Sequence, residues 1–108
     1  MPKKKPPIKK YCPIIKPTKL IGDVWTLLIV KCLLKEPKRF NQIKSEIPEI
    51  TSRTLTCRLK SLTEQGIIDR KQYPVIPPKV EYRLTEVGLG MAKIIKEIEK
   101  FGNKFLCS

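Results

Sequence analysis

Cations and hydroxyls, the side chains best suited to bind an anion, are concentrated in the middle of the chain. The segment TSRTLTCRLK, residues 51–60, contains three cations, four hydroxyls and no acid. Arginine can bond the edge of a guanine base, and hydroxyls or backbone N–H groups at a helix start can bind phosphate. The segment therefore predicts contact with a nucleic acid.

Composition disfavours most other chemistries. The 108 residues include no histidine and only five glycines. A Ser-His or Cys-His nucleophile pair and an imidazole metal ligand are therefore excluded, and a glycine-rich phosphate loop is disfavoured. The four cysteines form no C-x-x-C pair, which argues against a zinc site. We expect neither an enzyme nor a bound cofactor or metal.

Positive charge is distributed unevenly along the chain. Lys and Arg number 23 against 10 Asp and Glu, which gives a net charge of +13 and an attraction to polyanions. Residues 1–20 hold seven lysines and no acid. Residues 1–11 predict a flexible basic arm, and residues 12–108 a single domain. With no long apolar run and no secretory signal, we expect a cytoplasmic, nucleoid-associated protein without a membrane partner.

Apolar spacing and capping residues predict helices through the first part of the chain. The predicted helices cover 12–21, Val24 to Lys35, Phe40 to Glu46 and 51–65. Asp23 is the expected N-cap of the second helix, and Thr51 or Ser52 that of the fourth, which ends at Gly66. The rings that fall on these and the following apolar stripes are expected in the core rather than stacked on bases: Trp25, Phe40 and Tyr82.

After Gly66 the period changes from that of a helix to that of a strand. Ile67 to Val75 and Val80 to Leu84 predict the two strands of a hairpin, since Pro77-Pro78 forbids regular pairing at its tip. Thr85 then caps one long amphipathic helix over about 86–106.

The fourth helix is the predicted binding element. Its leucines form an i, i+4, i+7 stripe toward the core, namely Leu55, Leu59 and Leu62. A step of 100° per residue places Arg53, Cys57 and Lys60 on the opposite face, with Thr54 and Thr56 on the flanks. Arg53 is expected to contact either a base edge or only a phosphate or a neighbouring acid.

Motifs along the chain resemble those of a known family. The matching segments are Cys12-Pro13, Trp25 to Ile29, Lys38 to Ile43, Ile50 to Leu55 with Arg58-Leu59, Leu62 to Gly66 with Arg70, and Pro77 to Glu86 with Gly88. They resemble the HxlR-type winged helix-turn-helix transcriptional regulators, a branch close to the MarR family. Asp23 departs from the family, which usually has Gly-Gly-Lys before the tryptophan.

The resemblance implies a fold and an activity. The fold is mainly α (α+β), a winged helix-turn-helix with a two-stranded β-wing and N- and C-terminal dimerisation helices at about 12–21 and 86–106. Such proteins are dimeric, sequence-specific repressors or activators that read pseudo-palindromic operators on double-stranded DNA. A non-specific architectural DNA-binding protein is the alternative that the lysine-rich arm supports.

The candidate DNA-contacting residues lie on two helices and the wing. They are Arg39, Thr51, Ser52, Arg53, Thr54, Thr56, Cys57, Arg58, Lys60, Arg70, Lys71 and Lys79. Three alternatives stay open. Thr51 or Ser52 could serve only as an N-cap, Arg58 could form an internal ion pair, and Lys79 could belong to a solvated loop.

Two cysteines are candidates for a redox switch. Cys12 stands at a predicted helix start among Lys9, Lys10 and Lys16, and both features favour the thiolate. Some HxlR-type regulators sense oxidants through a cysteine at this Cys-Pro position. The resemblance thus allows a disulfide between Cys12 of one subunit and Cys107 of the other. The alternative is that Cys12 packs and Cys107 is a free thiol.

Overall fold

The computed structural model describes residues 13–106. Its elements in chain order are α1 Ile15–Ile21, α2 Val24–Leu33, α3 Phe40–Glu46, α4 Ser52–Glu64, β1 Ile68–Tyr73, β2 Lys79–Leu84, α5 Glu86–Leu89 and α6 Ala92–Phe105. Helices α2 to α4 followed by an antiparallel hairpin form a winged helix-turn-helix, as expected. Across residues 13–106, no helix is both long and apolar enough to cross a membrane.

The predicted capping residues act as expected. Asp23 accepts a hydrogen bond from the Thr26 N–H at 3.1 Å, and Thr51 accepts one from Thr54 at 3.1 Å. Thr85 accepts one from the Gly88 N–H at 3.2 Å. A side-chain acceptor at the N-cap satisfies one of the unpaired N–H groups of the first turn. These three residues fix the start of α2, α4 and α5.

Two glycines are required by the backbone. Gly66 ends α4 with φ of 77°, in the left-handed region that favours glycine. Gly88 is buried, and a Cβ placed there would lie 2.3 Å from the carbonyl oxygen of Ile67. The close approach lets α5 pack against the junction between α4 and β1.

The core lies between α2, α3, α4 and the base of the wing. Its fully buried side chains are Ile29, Val30, Ile43, Ile50, Leu55, Leu59, Leu62 and Ile68. The predicted leucine stripe of α4 is confirmed by this burial. Trp25, Phe40 and Tyr82 are half-buried and pack against the same cluster, in agreement with a core role.

The wing is shorter than predicted and gains a third segment. Strand β1 covers Ile68–Tyr73 instead of residues 67–75, because Pro74 has no N–H to donate and the Ile67 N–H bonds Leu62 at the end of α4. Lys38 pairs with Tyr82 of β2, with N···O distances of 3.0 and 2.8 Å. A single bridging residue leaves no periodic pattern, so the sequence did not reveal it.

Three helix boundaries also differ from expectation. The predicted final helix over 86–106 is divided at Gly90 and Met91, where N–H groups bond carbonyls three residues back and tighten the turn. Helix α2 ends at Leu33 instead of Lys35, since Leu34 makes the same kind of bond to Lys31. Helix α1 begins at Ile15.

Candidate nucleic-acid interface

Helix α4 presents a basic face opposite its buried leucines. Arg53, Thr56, Cys57 and Lys60 are exposed, as the helical spacing predicted. The helix has no acid before its last residue, Glu64. Its 13 residues give a rod about 20 Å long, which suits insertion into the major groove of duplex DNA.

Hydroxyls at the start of α4 are partly engaged within the helix. Thr51 accepts from the Thr54 N–H and donates to the Thr54 hydroxyl at 3.0 Å, so its N-cap role is established. The Thr56 hydroxyl donates to the carbonyl of Ser52 at 2.8 Å. Ser52 itself is exposed. Arg39 is exposed before α3, and its N–H donates to the Gln42 side chain at 2.8 Å.

Arg58 forms the internal ion pair that the sequence left open. Its Nε and Nη2 donate to the two carboxylate oxygens of Asp23, at 2.7 and 3.2 Å. The hydrogen bond with Arg58 holds the pKa of Asp23 below its ordinary value, and the same bond raises the pKa of Arg58. Asp23, a departure from the family motif, therefore links α2 to α4. Contact between Arg58 and DNA stays a prediction.

The cations of the wing lie on two opposite faces. Paired residues of an antiparallel ladder share a face, so Arg70 points to the same side as Tyr82. On this side, a groove of about 230 Å³ brings Arg70 together with Thr56 and Lys60 of α4. Lys71 and Lys79 lie on the other side, each with Nζ 5.0 Å from the Tyr73 ring centroid.

A carboxylate holds the second face of the wing together. Glu81 accepts from the Tyr73 hydroxyl at 2.9 Å, and Arg83 donates to that hydroxyl at 3.2 Å. Lys79 Nζ lies 3.6 Å from Glu81. The bond from Tyr73 lowers the pKa of Glu81. Lys79 is therefore half-buried and partly neutralised, whereas Lys71 is more exposed.

A buried lysine, missed by the sequence analysis, connects the helices to the wing. The Lys38 side chain is 5% exposed, with Nζ 3.3 Å from Glu46 and 3.6 Å from Glu36. Burial by itself lowers the pKa of Lys38, but the hydrogen bond to Glu46 and the carboxylate charges outweigh it and raise that pKa. A lysine between a proline and an arginine gave no signal that it would be buried.

The described cysteines differ sharply in environment. Cys57 is exposed on the basic face of α4. Cys32 is buried, donates to Glu46 at 3.4 Å, and has its pKa raised to about 11, first by burial and then by Glu46. Cys12 and Cys107 lie outside the described residues. Within residues 13–106, no three His, Cys, Asp or Glu side chains are grouped so that they could hold a metal ion.

Comparisons with known proteins agree with this architecture. Residues 20–108 match the HxlR-like helix-turn-helix family. The uncharacterized HTH-type transcriptional regulator YdeP of Bacillus subtilis is 37% identical over 94 residues, which cover 87% of this chain and 73% of YdeP.

Solved structures show the same fold. A protein described as a MarR-family transcriptional regulator from Porphyromonas gingivalis W83 is 41% identical, with a TM-score of 0.83 over 88% of this chain and 93% of that one. The redox regulator HypR in its oxidized form is 34% identical, with a TM-score of 0.83 over 90% of this chain and all of HypR. The chain therefore belongs to the HxlR-like helix-turn-helix family of DNA-binding transcriptional regulators.

Proposed function

We propose that the chain is a homodimeric, sequence-specific repressor that places α4 in the major groove of a pseudo-palindromic operator. The observation that carries this proposal is the exposed row of Arg53, Thr56 and Lys60 opposite a fully buried leucine stripe. Base edges are read in the major groove by such side chains near the start of a helix. Arg70 extends the row across the groove between α4 and the wing.

The dimer is proposed from an uncovered apolar face. The exposed apolar residues of this face lie on α2 and α6: Val24, Leu28, Ile94, Ile98, Phe101 and Phe105. So large an apolar patch is unusual on a monomer, and a second copy can cover it by two-fold symmetry. The same symmetry would place two α4 helices at half-sites about 34 Å apart.

Regulation by oxidation is proposed for Cys12, with Cys107 as its partner across the dimer. HypR, which shares the fold, is described as a redox regulator. Oxidant treatment followed by non-reducing electrophoresis tests this directly. We expect a covalent dimer in the wild type and none in Cys12→Ser. Absence of the band in the wild type, with unchanged DNA affinity, would contradict the switch.

The affinity for specific and random DNA tests the main proposal. Binding to the promoter of its own gene and to a random duplex of equal length is compared at one stated salt concentration, since salt alone changes affinity strongly. We expect tighter binding to the promoter by 100-fold or more, on the order usual for such regulators. Equal affinities would support the non-specific alternative, as would a sharp fall in both on deletion of residues 1–10.

A further inference from the structure

The tip of the wing exposes two adjacent apolar side chains. Ile76 is 99% exposed and Val75 is 51% exposed. Single apolar residues on a surface are common and need no explanation. At Ile76, however, three features of the surroundings fit insertion into a narrow, negatively charged groove.

Prolines make the tip rigid. Pro74, Pro77 and Pro78 surround Ile76, and each fixes its own φ near −65°. The Val75 N–H also bonds the carbonyl of Tyr73 at 2.8 Å. A tip restricted in this way loses little conformational entropy when it enters a binding site.

Charges on both faces of the hairpin complement the two walls of a DNA groove. Arg70 lies on one face, while Lys71 and Lys79 lie on the other. Glu81 lies on the second face, 3.6 Å from Lys79 Nζ, so Lys79 is partly neutralised there and Lys71 is the cation that this face offers to a phosphate. A groove in duplex DNA has a phosphate strand along each side, so a hairpin that lies over the groove can contact one strand with each face. This complementarity favours DNA over an apolar protein partner.

The length of the wing matches the distance to the neighbouring groove. Strands of six residues extend about 20 Å. Half a helical turn, about 17 Å, separates the major groove from the next minor groove along the duplex. That minor groove is only about 6 Å wide, enough for one branched side chain at the tip.

We propose that Ile76 enters the minor groove beside each half-site as an apolar wedge at a base step. This inference rests on the proposed binding of α4 to an operator. Apolar wedges partly unstack the bases. The free energy that this costs is smallest at flexible pyrimidine–purine steps. Ile76 thus gives the protein a preference for a deformable step that no hydrogen bond reads.

Three substitutions at the tip separate a wedge from a solvated loop. Because Ile76 is 99% exposed within residues 13–106, all variants should melt at the wild-type temperature. We expect I76A to lower affinity for the preferred operator about tenfold, consistent with the loss of a buried apolar side chain. I76L should bind like the wild type. I76K should bind random duplex more tightly but the operator more weakly. If the added positive charge were the only effect, the affinity for both duplexes would rise.

Fluorescence of 2-aminopurine placed in turn at the steps flanking each half-site gives an independent readout. We expect wild-type protein and I76L to raise the emission at one step by unstacking it, and I76A to leave it unchanged. Wild-type operator affinity in I76A, or loss of the dimer in that variant by sedimentation, overturns the wedge while operator binding stands. A wild-type protein without preference for any operator overturns both proposals, and this is seen before any variant is compared.

Discussion

Arg53 is the residue on which we expect sequence discrimination to depend most. It lies exposed in the first turn of α4, and Thr56, three residues further along the helix, is exposed as well. Its planar guanidinium can bond two acceptors of one guanine, and a bidentate contact of that kind discriminates bases by about 1–3 kcal/mol. A contact with phosphate alone would carry no such discrimination.

Replacement of Arg53 by Ala should therefore reduce specificity and not only affinity. We expect the ratio of operator to random-duplex affinity to fall about 10- to 100-fold. Lys71→Ala, a wing variant of the same net charge, is the control. It should weaken binding to both duplexes alike. It should also reduce the slope of log affinity against log salt concentration by about one. Equal losses on both duplexes in R53A would place Arg53 on a phosphate.

We expect the two described cysteines to differ in reactivity, because burial protects Cys32 and raises the pKa of its thiol. With a pKa of about 11, Cys32 is about 0.1% thiolate at pH 8. It is also buried, whereas Cys57 is exposed. We expect iodoacetamide to modify Cys57 much faster, as measured by peptide mass spectrometry, and bound operator to protect it.

The variant E46Q is the control for the environment of Cys32. It removes the carboxylate that, after burial, raises the thiol pKa, so labelling of Cys32 should quicken. Cys57 should be unaffected by the change. Equal rates for the two cysteines in the wild type would contradict the buried, protonated state of Cys32.

At the scale of elements, Lys38 links the wing to α3. Its backbone pairs with Tyr82 of β2, and its side chain bonds Glu46, the last residue of α3. One residue thus connects the helix-turn-helix to the hairpin. Both carboxylates around it remain half exposed or more, so they stay solvated if the lysine is removed. Loss of the lysine charge should then change the orientation of the wing more than the stability of the fold.

The variant K38M tests this role through coupling to the wing. Met fills a similar volume, so we expect the free energy of unfolding to change by about 1 kcal/mol or less. In this background K71A should cost less DNA affinity than in the wild type, whereas R53A should cost the same. Six affinities measured at one salt concentration, those of the wild type, the three single variants and the two double variants, give both couplings. Additive losses would show that the wing is positioned without the Lys38 side chain.

The pair of Asp23 and Arg58 joins α2 to α4 and should make stability depend on pH. The folded pKa of Asp23 is lowered by Arg58, so the pair stabilises the fold above the ordinary aspartate pKa. This stabilisation is lost as the pH falls through the lowered value. D23N isolates the pair, because Asn still serves as an N-cap.

Urea unfolding of D23N and wild type at several pH values measures the effect. The pair is about one third exposed on both sides, so we expect a difference of about 1 kcal/mol at pH 7. The difference should vanish in strong acid. If the difference in the free energy of unfolding stayed constant across the pH range, it would come from packing or from the cap instead.

Element order and caps could be predicted because they depend on local signals. Asp23, Thr51 and Thr85 each precede an apolar period, and Gly66 follows one. The break at Gly90 has a local signal, the two glycines Gly88 and Gly90, which the prediction of one continuous helix did not use. The burial of Lys38 depends on contacts with Glu46 and Tyr82, so its local sequence gave no prediction.

For the whole molecule, the sequence predicts how much positive charge there is. It does not predict which faces of the folded protein carry that charge. The seven lysines of residues 1–20 raise affinity for any polyanion, while the cations that can read or straddle DNA lie on α4 and the wing. The sequence identified these cations. Only the packed wing shows that Arg70 faces α4 and that Lys71 faces away from it.

The apolar face of α6 gives the last prediction, which concerns the dimer. Ile98 and Phe101 are 45% and 58% exposed, and the Phe101 ring lies near that of Phe105, with centroids 5.2 Å apart. A charge at Phe101 should not disturb the core of the subunit, but it would be buried without a partner in a symmetric interface.

We therefore expect F101E to fold and to sediment near the monomer mass of 12.5 kDa, while the wild type sediments at about twice that mass. K96Q, which changes the net charge by the same amount on an exposed residue of α6, should remain dimeric. If each subunit reads one half-site, as we propose, F101E should bind the full operator only as tightly as the wild type binds an isolated half-site. A dimeric F101E with full operator affinity would place the interface on another face of the molecule.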